Sequence, residues 1–155
     1  MVFGENDLRF MNSAFREAEY AMEKDEIPVG AVIVKDGIII AKGYNQVEML
    51  NDPTAHAEII AITAACNNLN SKNLSGCDLY VTLEPCAMCA GAIINSKISR
   101  VFFGAQEPKT GACTSLYSLL SDGKNIHKAQ VYHGLMEDRI VALMKHFFFN
   151  KRVNG

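Results

Sequence analysis

The sequence predicts an α/β fold, a three-layer α/β/α sandwich around a central mixed five-stranded sheet, on three observations. Strand-like and helix-like segments alternate after an initial hairpin. Val29–Val34 and Val101–Phe103 are apolar throughout, which suits a sheet covered on both faces. Asp36-Gly37, set between two apolar runs, signals a tight hairpin and therefore an antiparallel portion of that sheet.

The elements follow in order. Asp7 to Lys24 places Leu8, Met11, Phe15, Ala18 and Met22 at three- and four-residue steps, the pattern of an amphipathic helix that Pro28 ends. Val29–Val34 and Ile38–Ala41 are the hairpin strands, and Tyr44 to Pro53 is a polar loop. A second helix spans about Ala55 to Leu69, after turn and capping residues in Asn51-Asp52-Pro53-Thr54. Leu79–Leu83 is a short β-branched and aromatic strand. Pro85 then suits the first turn of a helix over Cys86–Asn95, where its missing N–H costs nothing. Strands at Ile98–Phe103 and Ala129–Tyr132 complete the five. Gly104–Asp122 reads as a loop with a short helix, and Glu137–Phe149 as the last helix.

A chain of 155 residues is expected to form one domain, residues 1–155. At that size folding buries about 68–70% of the unfolded chain's surface, so no disulfides are needed. Hydrophobic residues make up 49% and charged residues 21%, ordinary globular usage. A net charge of −2 excludes a protein that coats nucleic acid electrostatically, though it does not report how charge is distributed. No apolar run approaches the roughly 20 residues that span a bilayer. The first seven residues lack a basic stretch followed by an apolar one, so no signal peptide is expected. The expectation is a soluble cytoplasmic protein with no membrane partner. Five cysteines without a secretory context point to metal or catalysis rather than disulfides. Cys66, Cys77 and Cys113 stand alone and read as small packing residues.

The chemistry concentrates in two short segments. One is His56-Ala57-Glu58 at a helix start, the other Pro85-Cys86-Ala87-Met88-Cys89 at the next. Cys-x-x-Cys at a helix N-terminus is either a zinc half-site or a redox dithiol, because the positive end of the helix favours thiolates in both. A closed structural zinc site takes four protein ligands, and no second Cys pair exists. Three ligands, His56, Cys86 and Cys89, with one position open, are the pattern of a catalytic zinc. Glu58, two residues from the histidine, supplies a carboxylate that can take a proton from the activated water and return it to a leaving group. In mid-helix, positions two apart do not share a face, so the arrangement requires both residues in the first turn.

His-x-Glu followed by Pro-Cys-x-x-Cys is the signature of zinc-dependent base deaminases. At these residues the chain resembles the cytidine deaminase superfamily and, within it, the bacterial tRNA adenosine deaminases. The likeness runs from about Phe10 to Arg152. It is carried by Ile27–Val32, Gly43-Tyr44-Asn45, Asp52–Ile59, Tyr80–Ala92, Phe103-Gly104-Ala105, Lys109–Ala112 and Phe147-Phe148. The resemblance implies a cytidine deaminase-like fold, one Zn²⁺ per chain and a homodimer with the site near the subunit interface. It also implies deamination of adenosine to inosine at the wobble position of a tRNA anticodon stem-loop, with no DNA partner. Substrate contacts follow from it at Asn45, Ala57, Glu84 and Glu107. Further contacts follow at Lys109, His127, Phe148 and Arg152. Three positions depart from the family pattern and bear on substrate choice: Glu107 stands for an Asp, Ile126 for an Asn, and Phe149 for an Arg.

Two other readings stay open on the residues alone. One is a free purine or pyrimidine base deaminase, with the same chemistry on a smaller substrate. The other is a non-catalytic zinc-stabilised RNA-binding module, which leaves Glu58 without a purpose. Met88 reads as packing beneath the metal site, and His133 and His146 as structural or solvated residues. Of Phe147-Phe148-Phe149, at least one ring should stay exposed, since consecutive helical residues point in different directions.

Overall fold

Five strands form one sheet in the order β2-β1-β3-β4-β5. They are β1 (Gly30–Lys35), β2 (Ile38–Tyr44), β3 (Cys77–Leu83), β4 (Arg100–Ala105) and β5 (Gln130–His133). β1 is antiparallel to both neighbours, while β3, β4 and β5 run parallel. The sheet is therefore mixed, as expected. The computed structural model describes residues 3–154; the outermost residues of the expected 1–155 domain lie outside them. Among the described residues no helix is long and apolar enough to cross a membrane.

The β1–β2 hairpin turns at Asp36 (φ 51°) and Gly37 (φ 76°). Two successive positive φ values define the type I′ turn, whose twist matches that of the strands. The period-two alternation of the strands then divides the core. Ala31, Ile33, Leu79, Val81, Val101 and Phe103 face α3 (Ala57–Leu69) and α4 (Ala87–Ser96). Val32, Val34, Tyr80 and Phe102 face α1 (Glu5–Glu23) and α5 (Glu137–Asn154). Three layers result, with the sheet in the middle. On the α1 side Tyr80 and Phe102 pair in register and stack at 4.4 Å, and Phe102 stacks on Tyr132 at 4.9 Å. Such aromatic pairs are worth about 0.5–1.5 kcal/mol each beyond their burial. The Tyr80 hydroxyl donates to Asp7 Oδ1 at 2.6 Å and ties α1 to the central strand.

The structure shifts several expected elements. The buried stripe of α1 is Phe10, Met11, Ala14, Phe15, Ala18 and Ala21, while Leu8 is exposed. The small alanines let this helix lie close to the sheet, a preference that spacing alone does not display. Within the expected loop lies a one-turn helix, α2 (Val47–Leu50). Gly104 and Ala105 still belong to β4, the one helical turn between them and Asp122 is a 3₁₀ turn at Leu119–Ser121, and α5 continues past Phe149 to Asn154.

The C-terminal ends of β3 and β4, the start of β1 and the N-termini of α3 and α4 all meet at one end of the sheet. α5 passes over the same end. The site lies there.

Candidate metal centre and active site

His56 is the N-cap of α3 and Cys86 the N-cap of α4. Cys89 occupies the third position of α4, the place from which a side chain returns to the cap. Both thiols therefore point off the positive end of that helix. Glu58 is the second residue of α3, so the first-turn condition set by the sequence is met. His56 Nδ1 lies 3.6 Å from Cys86 Sγ and 3.6 Å from Cys89 Sγ. The three donor atoms all fall within 4.8 Å of one another, and among the described residues no fourth donor joins them.

This donor set fits zinc. Bonds of roughly 2.0–2.1 Å to nitrogen and 2.3 Å to sulfur, at tetrahedral angles, set the two ligand atoms roughly 3.6 Å apart. Two thiols and an imidazole are soft-to-borderline ligands of the kind zinc prefers. Hydrogen bonding from Cys89, with a further contribution from His56, pulls the Cys86 thiol down to about 3. The same contact with Cys86, followed by burial, raises Cys89. Hydrogen bonding to Cys86 raises His56. Burial lifts the Glu58 carboxyl to about 7, against the lowering effect of its own backbone N–H, of His56 and of a hydrogen bond with Cys89. At 3% exposure, Glu58 is enclosed beside the cluster without belonging to it.

A cavity of about 220 Å³ opens in front of these residues. His56, Ala57, Glu58 and Cys86 form its floor. Asn45, Glu84, Glu107 and Phe148, all expected from the sequence, line its walls. Ile27, Val29, Leu83, Thr110 and Met144 line it as well. Sequence reasoning missed them: Ile27 and Val29 flank Pro28 within a stretch already singled out, whereas nothing marked Met144.

Four of the buried polar side chains, Glu26, Asn45, Glu58 and Glu84, belong to this end of the molecule. Asn45 Nδ2 donates to the carbonyl of Ile27 (3.3 Å), and its Oδ1 accepts from Val47 N–H (3.4 Å). The Glu26 carboxylate accepts from Glu48 N–H (2.9 Å) and Met49 N–H (2.6 Å) and so caps the start of α2. Together Glu26 and Asn45 bind the segment before β1 to the segment after β2. Glu84 behaves differently from its expected role: backbone N–H groups of the loop after β4 engage its carboxylate.

The remaining expected contacts divide. Arg152 lies beside Phe148 and Phe149 in a groove next to the cavity. Lys109 is exposed on the loop, its N–H bonded to Glu107 Oε1 (3.0 Å), and Thr110 reaches the cavity in its place. His127 sits before β5, in a cleft with Asp36, Asp78 and Arg100. That cleft is at the N-terminal end of the parallel strands, opposite the cavity, so His127 of this chain cannot touch a base held there. Met88 is exposed rather than packed beneath the site, because its position in the first turn of α4 points outward. Phe147 is buried, whereas Phe148 and Phe149 are 42% and 58% exposed, as consecutive helical positions require.

Residues 4–105 match the family described as the cytidine and deoxycytidylate deaminase zinc-binding region. The chain is 47% identical over 146 residues to a tRNA-specific adenosine deaminase of Aquifex aeolicus, covering 94% of this chain and 95% of that protein. It superposes with a TM-score of 0.84 and 48% identity on a structure from work on A-to-I editing by tRNA:A34 deaminases at the wobble position of transfer RNA. That likeness covers 87% of this chain and 98% of the other. It is also similar to a guanine deaminase from Bacillus subtilis, at 47% identity and a TM-score of 0.61, over 63% of each chain.

Proposed function

This chain belongs to the cytidine and deoxycytidylate deaminase family with its zinc-binding region, and from that premise we propose that it converts adenosine to inosine at the wobble position of tRNA by zinc-dependent hydrolysis. The observation that carries the chemistry is the enclosed Glu58 carboxylate beside the His56, Cys86 and Cys89 donors. The relative from Aquifex aeolicus, similar over nearly the full chain, supports the substrate.

In this reading His56, Cys86 and Cys89 hold one zinc ion per chain, within one deaminase domain over residues 1–155. Bound there, zinc supplies Lewis acidity that makes a water able to attack at neutral pH. Glu58 takes the proton released by that water and delivers it to the adenine ring as the oxygen adds to C6. It then takes the remaining proton of that oxygen and passes it to the amino nitrogen; the C6–N bond breaks, ammonia leaves, and adenosine and water become inosine and ammonia. Asn45 has hydrogen-bonding capacity left after its two backbone partners, and it fixes the nucleoside against the wall. Phe148, exposed at the mouth, stacks a neighbouring base, and Arg152 meets a phosphate beside it.

The anticodon stem-loop suits such a site, because loop bases are splayed out and enter a closed pocket at little unstacking cost. Few phosphate contacts are then needed, which agrees with a net charge of −2. A homodimer is part of the proposal. Exposed Met88, Leu116 and Tyr117 support it, since the N–H groups of Leu116 and Tyr117 bond to Gly111, which pairs with Cys86 in the segment before Met88. The cytoplasm is the compartment this substrate implies. Incubating the protein with a tRNA that carries adenosine at the wobble position and measuring inosine tests the reading. Failure to form inosine while a free base is turned over favours the second reading, a free-base deaminase, for which the likeness to the Bacillus subtilis guanine deaminase speaks.

A further inference from the structure

Glu84 lies between the last residue of β3 and the Cys86 segment, and one loop spends five donors on its carboxylate. Oε1 accepts from Glu107 N–H (3.0 Å) and from the Ser115 hydroxyl (2.5 Å). Oε2 accepts from the N–H groups of Cys113 (3.0 Å), Thr114 (2.8 Å) and Ser115 (2.9 Å). An ionised carboxylate offers roughly four lone-pair sites, so none is left for a substrate donor. The side chain is also 3% exposed.

The loop closes tightly on this group. A Cβ at Gly111 would stand 2.3 Å from the carboxyl carbon of Glu84 and 2.5 Å from the carbonyl oxygen of Glu107. Gly111 pairs with Cys86, and Ala112 N–H donates to the carbonyl of Pro85 at 2.8 Å. Between the anchored ends of the loop lies Thr110, which with Glu107 forms one wall of the cavity.

We propose that Glu84 is a positioning residue: it fixes the Glu107–Ser115 loop over the base pocket and thereby governs substrate binding without touching substrate. Glutamine has nearly the same size but turns an NH₂ toward donors that need an acceptor, and the charge that attracts all five is lost. The loop then loses its defined position while β3 and the metal donors keep theirs. The proposal rests on the deaminase reading for its kinetic assay but not for its structural one.

The test is a double-mutant cycle of Glu84→Gln and Ser115→Ala, with zinc content measured, on whichever substrate the wild type turns over: the wobble-adenosine stem-loop or a free base. Glu84→Gln should raise KM about tenfold and leave kcat within about twofold, since a displaced pocket wall removes binding that ground state and transition state share. Ser115→Ala should raise KM less, Glu84→Asp should recover part of the loss, and zinc content should not change. The double variant should be no worse than Glu84→Gln alone, because both substitutions act through one contact. Multiplying effects would mean that Glu84 acts independently of its contact with Ser115, and a fall in kcat or zinc would place it in the chemistry or the ligand set; either result overturns the proposal. Amide exchange at residues 113–115 reads the loop without any substrate. It should accelerate in Glu84→Gln, and unchanged exchange would overturn the proposal even if the functional reading stood or fell separately.

Discussion

No side chain separates Gly43 of β2 from Ala57 of α3: a Cβ at Gly43 would stand 2.5 Å from the carbonyl oxygen of Ala57 and 2.8 Å from the nitrogen of Ala61. The helix start that carries His56 and Glu58 is thus seated directly on the sheet, and a missing side chain sets its height.

Gly43→Ala should therefore act on the metal site from the opposite face of the helix. Overpacking of this kind costs about 1–3 kcal/mol. A urea titration should show that loss together with weaker zinc retention. Gly123→Ala, where a Cβ meets nothing within 4 Å, is the control and should stay within about 0.5 kcal/mol of wild type. Equal stability of the two variants would contradict the account of how α3 is placed.

Zinc content should separate the ligands from the proton carrier. Cys86→Ser, Cys89→Ser and His56→Ala should each lose metal on elemental analysis. Glu58→Ala should keep one zinc per chain yet lose turnover by at least the roughly 10²–10⁴-fold typical of a general acid–base group. Full zinc in the cysteine variants, or wild-type turnover in Glu58→Ala, would remove the proposed division of roles.

Residues close together in the chain were legible in the sequence. Pro85 and the turn residues Asn51–Thr54 marked the two helix starts, so the geometry of His56, Glu58, Cys86 and Cys89 could be anticipated from local rules. The alternation that sorts Ala31 and Ile33 from Val32 and Val34 is equally local. Contacts set by topology were not legible. Glu84 reaches donors 23 to 31 residues away, and no propensity signals such a partner. His127, read as an RNA contact, lies at the other end of the sheet from the cavity, a placement that strand polarity sets. Glu26 and Met144 came to the site through a helix cap and a crossing helix, neither of which leaves a periodic trace.

The exposed Met88 and Tyr117 should lie in the homodimer contact. Light scattering at micromolar concentration should give twice the chain mass, and Met88→Asp with Tyr117→Asp should give the single mass, with lower activity. Buried like charges facing each other across a two-fold interface are costly, which is why paired acidic substitutions are chosen. A wild-type monomer throughout that range would contradict the dimer.

Arg152, in the groove beside Phe148, should contribute one phosphate contact. Binding of a stem-loop should weaken with salt with a slope of roughly −0.7 per phosphate for single strands, and Arg152→Ala should reduce the slope by about that amount. KM should rise while kcat holds. An identical slope in wild type and variant would place this arginine outside the RNA path.

The most direct measurement is kcat/KM on an anticodon stem-loop with adenosine at the wobble position, set beside free adenosine, adenine, guanine and cytosine under the same conditions. The account predicts inosine formation on the stem-loop with a kcat/KM at least about a hundredfold above any free base or nucleoside, as expected when recognition outside the pocket supplies binding energy. Efficient deamination of a free base, with no inosine formed in the stem-loop, would contradict it.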